Sequence, residues 1–141
     1  MKKFFVLTIA FVAITIISKA QCDGATKWNC TKMKIIDESG NTVHEKDEHI
    51  IVEVSNKNIS VTPQGDPDKM NGTVSDYNCK WPEPGKNGKT VLKSELLSND
   101  GKSRHATITI EAVNGKITIT LEATEESTKI VLEVSDYAVV K

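Results

Sequence analysis

The sequence predicts an all-β domain: a small antiparallel up-and-down barrel of seven or eight strands, with a β-sandwich as the alternative. Three observations predict it. Apolar and polar residues alternate with a period of two over several short segments, which turns one face inward and the other to water. Turn signals separate those segments at short intervals. Outside the first twenty residues the chain holds twelve Thr, and its apolar residues are mostly Ile and Val; β-branched side chains favour strands over helices. One antiparallel sheet of that many strands closes into a barrel or splits into two packed sheets, and consecutive hairpins favour the barrel.

The clearest element runs from Arg104 to Val113, with Ala106, Ile108, Ile110 and Ala112 on one face and Thr107, Thr109 and Glu111 on the other. Asn114-Gly115 follows, and both residues tolerate the positive φ of a type I′ hairpin turn. Lys116 to Ala123 alternates again. A two-residue loop sets Ala112 opposite Ile117, Ile110 opposite Ile119, Ile108 opposite Leu121 and Ala106 opposite Ala123, so apolar meets apolar in every inner pair. After a turn at Glu125-Glu126-Ser127, a strand from Lys129 to about Val140 puts Ile130, Leu132, Val134, Ala138 and Val140 on one face. Asp136 interrupts it, as a bulge or as the strand's exit from the core. Upstream, Ile50 to Val54 and Ile59 to Thr62 pair about Ser55-Asn56-Lys57-Asn58, with Val54 opposite Ile59 and Val52 opposite Val61. Thr31 to Asp37 and Gly72 to Trp81 read as further strands. Over Lys89 to Leu97 the residues Val91, Leu92, Leu96 and Leu97 fit a helical stripe as well as a strand. Pro63 to Gly72 reads as a loop, and no repeat or second domain shows.

Lys2-Lys3, the apolar stretch Phe4 to Ile17 and the small residues Ser18 and Ala20 make residues 1–20 a secretory signal cut after Ala20, with residues 21–141 as one β domain, secreted or periplasmic. The apolar stretch is short for a membrane span. Cys22 near the cut raises a lipoprotein reading, which Lys19-Ala20-Gln21 fits poorly. Without the leader's three lysines, 15 basic residues face 19 acidic ones. A net acidic chain with scattered charge lacks the basic footprint of a nucleic-acid binder.

Cys22, Cys30 and Cys79 in an oxidising compartment imply one disulfide and one leftover thiol. Trp28-Asn29-Cys30 and Cys79-Lys80-Trp81 are mirror images, so antiparallel pairing of their strands predicts a Cys30–Cys79 bridge with Trp28 opposite Trp81. Cys22–Cys30 and Cys22–Cys79 are the alternatives. Trp28, Trp81 and Tyr77 are the candidate ligand-binding residues, as a stacking platform for a flat ligand; core packing is the plainer reading.

Other motifs fall short of their chemistry. In His44-Glu45-Lys46-Asp47-Glu48-His49 the second His comes one residue late for a zinc helix, so a solvated charged loop is expected. Gly88-Lys89-Thr90 lacks the first glycine of a phosphate loop, since residue 83 is Glu83. Asp66-Pro67-Asp68-Lys69-Met70-Asn71-Gly72 has Tyr77 where a calcium loop closes with a carboxylate. Asn29-Cys30-Thr31, Asn58-Ile59-Ser60 and Asn71-Gly72-Thr73 match the glycosylation sequon, which matters only in a eukaryotic host. No catalytic triad announces itself around His105. The expectation is therefore no enzyme, no cofactor and no metal.

The Lys-Lys-Phe-Phe start, the Ser-Lys-Ala-Gln end of the leader and the Lys-rich Ile/Val/Thr composition resemble small exported bacterial proteins of Bacteroidota type. A Trp in the first segment, followed by hairpins to the end, resembles the layout of small lipocalin-like barrels; Gly24-Ala25-Thr26-Lys27-Trp28 is similar to the lipocalin Gly-x-Trp with two residues more. The resemblance implies a barrel and says little of activity. Two functions follow from the residues. The first is a monomeric, non-enzymatic binding protein holding a small apolar ligand among its Ile, Leu and Ala side chains. The second is a protein-interaction module, such as an inhibitor, adhesion or immunity factor, acting through the loops at Pro63 to Gly72 and Pro82 to Gly88.

Overall fold

Period-two patterning and tight turns produce eight consecutive antiparallel strands: β1 (Ala25–Ile36), β2 (Thr42–Val54), β3 (Asn58–Pro63), β4 (Met70–Glu83), β5 (Asn87–Leu97), β6 (Ser103–Val113), β7 (Lys116–Ala123) and β8 (Lys129–Val140). They neighbour one another in sequence order, and β1 closes onto β8 to complete an up-and-down barrel. The computed structural model describes residues 22–65 and 68–140. The expected leader and its cut, and Asp66 and Pro67 of the loop, lie outside them.

The β6–β7 hairpin adopts the expected register, from Ala106 opposite Ala123 to Val113 opposite Lys116. Asn114 and Gly115 take the positive φ of their turn, 51° and 85°. Val54 faces Ile59 and Val52 faces Val61, again as expected. Lys89 to Leu97 belongs to a strand: Thr90, Leu92, Ser94 and Leu96 are buried on its inner side, so the stripe of Val91, Leu92, Leu96 and Leu97 is split between faces. The segment His44 to His49 is also strand rather than loop, because β2 starts at Thr42.

Two bulges redirect the inner face. In β4 the register shifts between Val74 and Asp76, and in β8 between Cys30's partner Val134 and Asp136. Each bulge sits at a serine whose hydroxyl donates to a carbonyl of the neighbouring strand: Ser75 to Lys93 at 3.2 Å, and Ser135 to Asn29 at 3.1 Å. An extra residue in one strand flips the parity beyond it. Tyr137 therefore turns inward, while Ala138 and Val140, expected on the inner face, are exposed. Val74-Ser75-Asp76-Tyr77 recurs as Val134-Ser135-Asp136-Tyr137, 60 residues later, so one tetrapeptide makes the same bulge twice.

The repetition extends to the whole barrel. β1–β4 and β5–β8 correspond strand for strand. Asp37 N–H donates to Asn41 O and Gly40 N–H to Asp37 O; Ser98 N–H donates to Lys102 O and Gly101 N–H to Ser98 O in the matching turn. Past the end of β3, Gln64 N–H donates to His49 O at 2.8 Å, and past β7, Thr124 N–H donates to His105 O at 2.8 Å. β3 pairs with β4 from Asn58 opposite Thr73, and β7 with β8 from Thr118 opposite Glu133.

Candidate functional site

The end of the barrel where β1 starts and β8 finishes gathers all four aromatic side chains of the domain. Trp28 and Trp81 are 2% and 4% exposed, with ring centroids 5.8 Å apart. Trp28 also stacks on Tyr137 at 5.1 Å. Leu92, opposite Tyr77 and Ile108, occupies in β5 the place of Trp28, opposite Tyr137 and Val52, in β1; the Trp81 ring lies against Gly88, and a methyl there would overlap that ring. Large meets small on neighbouring strands, as close packing requires. Tyr77 completes the group, and burial, followed by the negative charge of Asp23, pushes its phenol above the usual value.

These are the three candidate residues Trp28, Trp81 and Tyr77, brought together, but around little space. A cavity of about 10 Å³ remains among Thr26, Trp28, Val54, Tyr77, Thr90 and Ile110. Ligand sites for small molecules run to about 300–1,000 Å³. Ile, Val and Leu side chains fill the barrel below, from Val52 and Leu92 to Ile108, Ile119 and Leu132.

The disulfide joins Cys22 to Cys79, with Cα atoms 5.8 Å apart, and leaves Cys30 free and buried. This corrects the expected Cys30–Cys79 bridge. The expectation required β1 and β4 to be neighbours, but β1 lies between β2 and β8, and Cys30 faces Ile50 and Val134. The two tryptophans do meet, across the interior rather than along a ladder. Burial pushes the Cys30 thiol up to about 12, so at neutral pH it stays protonated and inert. Cys79 lies beyond the Ser75 bulge, where β4 has outrun the short β3. In the other half, the strand before β5 holds the matching connection, and Gly85 packs on Tyr137. No described strand precedes β1, and the disulfide anchors its approach instead. Thr90 ties this bridge to the aromatic group: Trp81 Nε1–H donates to Thr90 Oγ1 at 2.8 Å, and Thr90 Oγ1 donates to Cys79 Sγ at 3.4 Å.

Titratable groups stay outside. His105 Nδ1 lies 2.9 Å from Glu125 Oε1 on the exposed rim. That bond raises His105 above the usual imidazole value and holds Glu125 below the usual carboxylate range. The nearby Ser103 hydroxyl donates to Glu95 at 2.7 Å, not to His105. No group of three His, Cys, Asp or Glu residues among the described residues converges on a metal-sized site, and no described helix is long and apolar enough to cross a membrane. Two larger spaces open to solvent: one of about 530 Å³ is lined by Val74, Lys93, Ser94, His105, Ala106 and Thr124, and one of about 450 Å³ runs past Asn58, Asn71, Glu95 and Leu97.

The opposite end carries a feature that sequence reasoning passed over. Thr42–Glu48 of β2 pairs with β1 on one side, from Thr42 opposite Ile36 to Asp47 opposite Lys32. On the other side pairing with β3 reaches only to Ile50, opposite Pro63. No described strand borders this stretch there. The dense charge of His44 to His49 masked the strand; the signal available was the length of chain between Asn41 and Ile50, matching the arm of β1.

No family model matches the chain, and no curated protein and no solved structure matches it.

Proposed function

We propose that this chain is an exported, non-enzymatic protein-interaction module that binds through its outer surface and loops, and that its barrel serves as a rigid frame. The observation that supports this reading is the packed aromatic end: Thr26, Trp28, Val54, Tyr77, Thr90 and Ile110 enclose about 10 Å³, room for about one water molecule. A small apolar guest would have to displace the aromatic group. Binding residues on a rigid β frame sit on its edges and connections, and the long loop after β3 and the free stretch of β2 lie at one end.

Titration of the folded protein with a fluorescent fatty-acid analogue tests the reading, because Trp28 and Trp81 report on the interior. The expected result is no saturable change in tryptophan emission. Saturable one-to-one binding, with energy transfer from the tryptophans, overturns it and restores the carrier.

A further inference from the structure

The halves of the barrel differ most where β2 begins. In the second half β6 starts at Ser103, just ahead of His105, whose carbonyl bond to Thr124 marks the onset of pairing with β7. In the first half the same bond joins His49 and Gln64, yet β2 starts at Thr42. Thr42–Glu48 is strand length that the second half closes without. It offers about 23 Å of open edge.

Open strand edges recruit strands. A second copy of this chain is a poor occupant. Symmetric antiparallel pairing of two such edges sets one residue opposite itself, and the registers centred on Glu45, Lys46 or Asp47 all oppose like charges at the axis, which is destabilising. In the register centred on Lys46, Glu45 also meets Asp47. The remaining charge pattern selects the partner. Lys32 stands opposite Asp47 in the ladder, but its ammonium goes to Glu45 at 3.4 Å. Lys46 is held by Glu48 at 3.2 Å. Asp47 has no ion-pair partner among the described residues, and the stretch is net acidic. Val43, 58% exposed, adds an apolar contact.

We propose that Thr42–Glu48 docks an extended segment of a different protein by strand addition, and that this segment carries Lys or Arg opposite Glu45 and Asp47. The proposal rests on the surface-binding reading above and names its edge and the chemistry of its partner.

The probes are two synthetic peptides of the length of the edge, one alternating lysine with valine and one alternating glutamate with valine. Amide NMR with hydrogen exchange on the whole folded chain reads the outcome. The lysine peptide is expected to shift the amides of residues 43–47 and slow their exchange about tenfold or more, since a docked strand gives them acceptors. The glutamate peptide is expected to do neither, and the double variant Glu45→Lys, Asp47→Lys to invert the preference. Equal response to both peptides, protection confined to other strands, or self-association that protects the same amides overturns the proposal. Those failures leave the surface-binding reading standing; it falls instead with saturable capture of the apolar probe inside the barrel.

Discussion

The first four strands and the last four follow one plan, down to a shared bulge tetrapeptide, and diverge in three places: β1 carries Trp28 where β5 carries Leu92, the approach to β1 is bridged to Cys79 where β5 follows directly from β4, and β2 begins well before the point at which β6 begins. The first two differences complete the barrel. Trp28 supplies the ring on which Trp81 and Tyr137 stack, and the disulfide replaces chain continuity. The third adds nothing to closure. What the second half does without is the edge proposed above for strand addition.

The largest test of that comparison is in the aromatic group. Trp28→Ala is expected to cost about 3–5 kcal/mol, the usual loss for a truncated buried aromatic. Gly88→Ala, beside the Trp81 ring, is expected to cost about 1–3 kcal/mol by overpacking Trp81. Urea unfolding measures both, and a neutral Gly88→Ala would break the idea that Gly88 makes the room that Trp81 fills.

Removing the bridge with Cys22→Ala and Cys79→Ala is expected to cost about 2–4 kcal/mol. Hydrogen exchange should quicken in β1 and in β4 beyond Ser75, with β6 and β7 unchanged. Non-reducing peptide mapping of the parent should join the Cys22 and Cys79 peptides, and iodoacetamide should label Cys30 only after unfolding.

A smaller effect belongs to the bulges. Ser75→Ala and Ser135→Ala each lose one hydroxyl-to-carbonyl bond, worth about 0.5–1.5 kcal/mol. Equal losses are expected if the two bulges are equivalent; a clear inequality in thermal unfolding would sharpen where the halves part.

The smallest is the rim pair. His105 is raised by its bond to Glu125, so its stabilisation is present below the unfolded imidazole value and fades as pH rises through the folded one. Glu125 is lowered by the same bond, so its share is present above the unfolded carboxylate value and fades as pH falls through the folded one. The parent should exceed His105→Gln in Tm most at about pH 5–6, with the gap closing in alkali. A gap independent of pH would count against the ion pair.

Much of the second half was legible in the sequence. Asn114-Gly115 fixes a turn, and clean alternation on both sides fixes the register, so every β6–β7 pair could be written down. The charged arm of β2 was not, because His44 to His49 has no apolar face to give a period. Nor was the inward turn of Tyr137: a bulge breaks the period of two, although the recurrence of Val-Ser-Asp-Tyr was there to be seen. The site was half legible. Trp28, Trp81 and Tyr77 do converge, but their meeting across the interior, and with it the choice of Cys22 over Cys30 as partner of Cys79, depends on barrel closure, which local periodicity does not encode.

Native mass spectrometry of the protein purified from the cells that make it, compared with the denatured, non-reduced mass, tests the central claim that the barrel is a filled frame that binds outside itself. The account predicts the bare chain with one disulfide, free of any small molecule, together with complexes that hold a second protein. A small-molecule mass that stays with the folded chain and is lost on denaturation would contradict it.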